Sequence, residues 1–235
     1  MTTPAALDIE GLRRTNGAGG AEFVLEVDRF VLRAGEAVAI AGPSGSGKST
    51  FLDLAALALA PDSAVRLGLG GVDAAALWRR GATEALARLR AQSIGYVLQT
   101  GALLPFVSVR ENILLPQRLS GWEDHARVEA LAATLGIAAT LSRKPETLSV
   151  GQRQRAAIAR ALAHRPALVL ADEPTAALHP ELADTVLELL VTQAAAHGAA
   201  LLLATHDPER AERFGLPVVP ITAVHGESRS RLSHG

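Results

Sequence analysis

The nine residues GPSGSGKST, Gly42 to Thr50, fit the spacing G-x-x-x-x-G-K-[ST]. Each residue type there has a chemical use. Gly42, Gly45 and Gly47, with Pro43, Ser44 and Ser46 between them, let backbone N–H groups curl around phosphate oxygens. Lys48 reaches the outer phosphates, and it is one of very few lysines in an arginine-dominated chain. Ser49 offers its hydroxyl to Mg²⁺, a cation that takes oxygen ligands and keeps several waters; Thr50 completes the motif. The stretch reads as a nucleotide site.

Three further points supply polar groups of the kind such a site needs. In ALVLADEP, Asp172 and Glu173 stand at the tip of an apolar run. The aspartate suits Mg²⁺ coordination, and the glutamate suits a general base for an attacking water. His206 closes the run ALLLATHD and suits contact with a γ-phosphate; Gln99 closes SIGYVLQ. Taken singly, each of these is an ordinary polar residue at the end of a strand, and only their placement gives them a function. In LSVGQRQRAAIARAL, a polar turn from Ser149 to Gln152 runs into a helix with Arg153, Arg155 and Arg160. The N–H groups at such a helix start suit an anion, with a simple helix cap on Ser149 as the plainer reading.

The elements that must position these residues are legible as a pattern. EAVAIAG (36–42), SIGYVLQ (93–99), ALVLADE (167–173) and ALLLATHD (200–207) are near-continuous apolar runs of strand length. Such runs describe strands buried on both faces, and the helical stretches between them predict a parallel α/β sheet. In such a sheet the ligand sits beyond the carboxyl ends of the strands. Those ends carry Gly42, Gln99, Asp172 with Glu173, and His206. A helix is predicted from Lys48 to about Ala60. EFVLEVDRFVLRAG alternates, which predicts antiparallel strands in the first forty residues. Residues 100–152 read as an inserted helical subdomain between two core strands. The remaining α/β core is assigned to 1–99 and 153–225, and the polar end 226–235 reads as a flexible tail.

Composition bounds the possibilities. At 235 residues the chain fits one domain with an insertion, and 49% apolar residues are ample for its core. Aromatics make up only 3%, which argues against a base-stacking single-strand binder, and a formal charge of −1 gives no general attraction to nucleic acid. There are no cysteines, so disulfides and thiolate metal sites are excluded. MTTPAALDIEGLRR lacks the apolar core of a signal peptide, and no run is long and apolar enough to span a bilayer.

The order of phosphate loop, Gln99, LSVGQ, LVLADE and His206 resembles that of the ATP-binding subunits of ABC transporters over nearly the whole chain. LARLRAQSIGYVLQTGALLPFVSVREN (86–112) and RKPETLSVGQRQRAAIARAL (143–162) are most similar to the branch serving lipoprotein-releasing, macrolide-export and cell-division complexes. The resemblance implies an ATPase with a P-loop NTPase fold, ATP and Mg²⁺ as ligands, and cation contacts from Ser49, Gln99 and Asp172. It implies catalytic roles for Glu173, His206 and Gln99. It also implies that Leu148, Ser149, Gly151 and Gln152 meet ATP held by a second copy, two chains sandwiching two nucleotides head to tail. The partners it implies are a transmembrane permease docked near Gln99 and residues 100–118, and a second ATPase chain. Nucleic acid is not expected, and the location implied is cytoplasmic, at the inner face of the plasma membrane.

Three departures from the family pattern stand out. Val150 replaces the usual first glycine of the signature, which matters if that position needs a positive φ. His179, in PTAALHPE, replaces an aspartate in a loop that crosses the dimer interface. The neighbourhood of Asn16 lacks the aromatic residue on which adenine usually stacks, with Phe23 the nearest substitute. Weak base selectivity, admitting GTP, follows from that lack. Two other functions stay open at this point: a soluble ABC-type ATPase in a nucleic-acid or enzyme assembly, and a low-turnover regulatory subunit.

Overall fold

The computed structural model describes residues 5–17, 22–176, 178–224 and 228–235. Residues 1–4, 18–21, 177 and 225–227, which include 226–227 of the expected tail, lie outside the described residues.

The chain opens with a long hairpin, β1 (Ala5–Asn16) and β2 (Phe23–Arg33), and enters β3 (Ala37–Ala41). After the phosphate loop come α1 (Lys48–Ala55), β4 (Arg66–Leu69), β5 (Val72–Asp73), α2 (Ala74–Arg79), α3 (Thr83–Ser93) and β6 (Ile94–Val97). The insertion holds α4 (Val109–Leu119), α5 (His125–Thr134) and two 3₁₀ turns, Ala138–Thr140 and Pro145–Thr147, before α6 (Val150–Leu162). The core resumes with β7 (Leu168–Asp172), α7 (Pro180–Ala196), β8 (Ala200–Thr205), α8 (Pro208–Arg213), β9 (Val218–Pro220), β10 (Thr222–Ala223) and β11 (Arg229–His234).

Two sheets result. One is five-stranded and wholly parallel, in the order β6-β7-β8-β3-β9. The other is six-stranded, in the order β10-β11-β2-β1-β4-β5, and antiparallel except where β11 runs parallel to β2. The apolar runs explain the layering, because successive side chains of a strand face opposite ways. Val38, Ile40, Leu168, Leu170 and Leu202 pack with Phe51 and Leu52 of α1 and with Leu7, Leu25 and Phe30 of the second sheet. Ala39, Val169, Leu201 and Leu203 pack with Ile158 of α6, Leu190 of α7 and Ile113 and Leu131 of the insertion. Both faces of the parallel sheet are therefore covered, as uninterrupted apolar strands require. Gly95 permits the tightest approach: a Cβ there would lie 2.1 Å from the Ala161 carbonyl oxygen of α6.

Two expectations are corrected. The helix after the phosphate loop stops at Ala55, short of Ala60. Leu57 turns the chain through φ +55°, and the Asp53 carbonyl accepts from both Ala58 and Leu59 N–H groups, which ends the regular pattern. The polar end is no flexible tail over its described part. Arg229–His234 adds a strand beside β2, with Leu232 and Ser230 buried and Arg229 and Arg231 paired with Glu26 at 3.5 and 3.2 Å. One apolar residue in a polar hexapeptide gives little sequence signal, yet backbone pairing and a carboxylate opposite suffice to hold it.

α6 ends against a buried histidine. His164 Nε2 lies 3.0 Å from the Ile94 carbonyl oxygen, and burial pushes the imidazole down from its ordinary 6.5 to about 4, aided by nearby Arg127. Below pH 6.5 the unfolded chain takes up this proton and the folded chain does not, so stability is lost as pH falls toward 4. The loss from this group is at most about 3 kcal/mol. His164→Gln should flatten the fall in Tm between pH 7.5 and 5 relative to the parent; parallel curves would remove His164 as the cause.

Candidate nucleotide-binding site

The parallel strands deliver their ends to one edge. β3 runs out into Gly42, β7 ends at Asp172, and β8 ends at Thr205, one residue before His206. Since β3 and β7 flank β8 in register, the phosphate loop, the two carboxylates and the histidine meet there.

Gly47 caps α1 at φ +98°, a conformation few residues with a side chain adopt. It also has no room for one: a Cβ would come within 3.0 Å of the Phe23 ring. The Lys48 ammonium is buried, donating to the Gly42 and Pro43 carbonyls at 2.8 and 3.1 Å. Glu173 Oε1 lies 3.5 Å from it, and Glu173 Oε2 lies 3.2 Å from His206 Nδ1. Glu173 has φ +44°, an unusual value for a glutamate, and its N–H donates to the Ala204 carbonyl at 3.0 Å. The loop is tied to the hairpin through Asn16, which donates to Thr50 Oγ1 at 3.0 Å.

Burial pushes the Asp172 carboxyl above the usual carboxylate range. The Ser49 hydroxyl opposes the shift, Glu173 adds to it and Lys48 opposes it. The buried Ser46 Oγ has no hydrogen-bond partner among the described residues. These features fit a triphosphate and a hard cation: an orphan hydroxyl and a lysine on carbonyls for the phosphates, and Ser49 with Asp172 as oxygen donors. Among the described residues no cluster of three or more His, Asp or Glu side chains is placed to hold a metal ion. Mg²⁺ suits that arrangement, because it binds through one or two protein oxygens plus phosphates and water.

Asn16, Phe23, Ser44, Gly45, Gly47, Lys48, Ser49, Thr50 and Glu173 line one cavity of about 340 Å³. Phe23 belongs to it because of strand register: it stands directly opposite Asn16 in the β1–β2 pair. Counting along the chain puts it seven residues late; the hairpin folds it back to the same place. Asn16 and Phe23 are the site residues that motif spacing alone does not give.

Gln99 is not drawn in. It is exposed in the turn from Leu98 to Gly101, and its side chain makes no hydrogen bond among the described residues. The signature turn also stands apart. No hydrogen bond or ion pair among the described residues links Leu148–Gln152 to Gly42–Thr50. Ser149 and Gln152 form a reciprocal cap: Ser149 Oγ accepts from Gln152 N–H at 3.2 Å, and Gln152 Oε1 accepts from Ser149 N–H at 3.0 Å. Leu148 is buried, and Gly151 packs where a Cβ would lie 2.9 Å from Leu182 of α7. Val150 sits at the first helical position with no positive φ, so the departure from glycine causes no backbone strain. The three arginines are not an anion site: Arg153 donates to Leu148, Arg155 to Gly151 and Leu135, and Arg160 to Gly101 and Ala102, all backbone carbonyls.

A profile of the family described as ABC transporter matches residues 25–176. The chain belongs to that family. It is 43% identical to the lipoprotein-releasing system ATP-binding protein LolD of Ruegeria sp., over 88% of this chain and 92% of that protein. It is 40% identical to the macrolide export ATP-binding/permease protein MacB of Marinobacter nauticus, over 90% of this chain but 33% of that longer protein. Among solved structures, the dimeric post-hydrolysis state of the ATP-binding cassette MJ0796 with ADP and Pi superposes with a TM-score of 0.75. That pair is 29% identical and covers 91% of this chain and 93% of the other. The fold is thus that of the P-loop NTPases, and the chain is an ATP-binding, ATP-hydrolysing subunit of an ABC transporter.

Proposed function

We propose that this subunit binds Mg²⁺-ATP between its phosphate loop and the LSVGQ turn of a second copy, and drives a permease that moves lipid-anchored protein cargo. The observation that carries the nucleotide chemistry is the convergence of Lys48, Glu173 and His206 at one sheet edge. Lys48 holds the outer phosphates, and Glu173 accepts the proton of the attacking water. His206, 3.2 Å away, steadies the Glu173 carboxylate and faces the γ-phosphate. Ser49 and Asp172, with Gln99 brought in by movement of its exposed turn, would hold Mg²⁺, which would supply positive charge against the phosphates. Ser149 and Gly151 of the second copy complete the site through backbone and hydroxyl donors.

A permease dock is supported by the groove beside β6. Leu98, Leu115, Pro116 and Leu119 line a cavity of about 410 Å³, with Leu119 67% exposed. No helix of the described residues is long and apolar enough to cross a membrane, so the permease supplies the attachment to the inner face of the plasma membrane. The cargo class rests on the likeness to LolD proteins.

For the base, Phe23 is the stacking surface. Stacking on one ring is tolerant of base identity, so GTP should compete with ATP for the site. Phe23→Ala should weaken ATP binding on the order of tenfold, measured by fluorescence of a labelled nucleotide; unchanged affinity, or a strong preference for ATP over GTP, would contradict this assignment.

Glu173→Gln should abolish turnover while leaving ATP binding intact, and should convert the chain to a dimer at saturating ATP. Light scattering that shows monomer only would overturn the sandwich. Affinity purification from detergent-solubilised host membranes should recover a polytopic protein in stoichiometric amount. Recovery of a soluble enzyme or nucleic-acid complex instead would leave the ATP site standing and refute the transport coupling.

A further inference from the structure

Asp53 lies outside the phosphate motif, yet it sits one turn after Ser49 on α1, and residues four apart share a helix face. That face meets β7, which Asp172 ends. The four residues around Asp53, Phe51, Leu52, Leu54 and Ala55, are fully buried. A carboxylate in such a setting is an expensive choice, because burial disfavours its charge and Asp172 stands close enough to repel it. Neither carboxylate forms an ion pair with a basic side chain among the described residues. What Asp53 does have is Tyr96, whose hydroxyl donates to Asp53 Oδ1 at 3.5 Å. Tyr96 comes from β6, next to β7 in the sheet, and faces α1 from below Asp172.

We propose that Asp53, oriented by the Tyr96 hydroxyl, is a further positioning carboxylate of the divalent-cation site, acting through Asp172 and Ser49. This rests on the reading of Ser49 and Asp172 as cation ligands. The physical basis is charge: a second negative group behind Asp172 strengthens the field that a divalent cation meets, and fixes the ligand that meets it. Before the cation arrives, the same charge opposes the phosphates of the nucleotide. Asp53 therefore makes tight nucleotide binding conditional on the metal. Tyr96 extends this to the groove beside β6, since its ring is part of that wall, so what docks there touches the residue that aims Asp53.

The test compares binding of a fluorescent ATP analogue to the full chain in EDTA and over a Mn²⁺ titration. The parent should bind more tightly as Mn²⁺ rises. In Asp53→Asn, EDTA affinity should be unchanged or tighter, while the gain from Mn²⁺ falls on the order of tenfold. Asp53→Glu should recover much of that gain, and Tyr96→Phe should lose part of it. Electron paramagnetic resonance of bound Mn²⁺ gives the metal affinity directly. An Asp53→Asn protein with the parent's Mn²⁺ gain overturns the proposal. So does one in which EDTA and Mn²⁺ affinities fall together without recovery in Asp53→Glu, the signature of a packing defect. A parent chain indifferent to Mn²⁺ would instead refute the cation reading of Ser49 and Asp172 beneath it.

Discussion

The structure turns on a buried ammonium. Lys48 is 5% exposed, so its charge cannot be left to solvent, and the chain around it is arranged to receive it. The Gly42 and Pro43 carbonyls satisfy two of its donors, which forces the loop to curl back over the start of α1. The carboxylate ion-paired with it among the described residues is Glu173, 3.5 Å away on an adjoining element. Neutral carbonyls satisfy hydrogen bonds without cancelling charge, and a single carboxylate at that distance cancels it incompletely. A cradle built this way favours a ligand with several negative oxygens. The glycines, the helix start and the position of β7 all follow from holding that cation where a phosphate can reach it.

The parallel sheet makes the arrangement possible. An antiparallel sheet alternates strand ends along each edge, whereas β7, β8 and β3 all finish on the same side. Asp172 and Glu173 follow one strand and His206 the next, so they reach the phosphate loop without any long excursion. Glu173 reaches between Lys48 and His206 only by leaving β7 with a positive φ, secured through its N–H on Ala204 of β8. The backbone of the neighbouring strand thus fixes the orientation of the side chain, and the covered faces of the sheet keep both strands in place.

How much of this was legible in the sequence depends on the range of the interactions involved. The strands of the parallel sheet appear as unbroken apolar runs because both faces are buried, and the phosphate loop appears as a motif because all its contacts are local. The cap from Ser149 to Gln152 is local too. What escapes is set by register between distant segments. Phe23 looks misplaced along the chain and is directly opposite Asn16 once β1 and β2 pair. Asp53 belongs to no motif, and only the fold, through β6, brings the Tyr96 hydroxyl to it. Arg153, Arg155 and Arg160 follow the helix start that suits an anion, and the fold uses them on the backbone carbonyls of Gly101, Ala102, Leu135, Leu148 and Gly151. The strand β11 escapes because pairing, with little apolar burial of its own, places it.

The signature turn bears on the proposed pairing of two chains. The cap matches the Ser149 and Gln152 N–H groups, those of Val150 and Gly151 have no hydrogen bond among the described residues, and Val150 is left 46% exposed at the front of the helix. Gly151 does not add to that front, since it is packed against Leu182, one turn into α7. His179, immediately before α7, has no side-chain cap bond and is exposed as well. Gly151 against Leu182 therefore locks two departures from the family pattern onto one rigid corner, an aliphatic side chain on α6 and an imidazole at the head of α7. A face built from one valine and one ionisable ring offers little apolar area to bury. In the sandwich proposed above, pairing through such a face rests on what the nucleotide contributes between the chains.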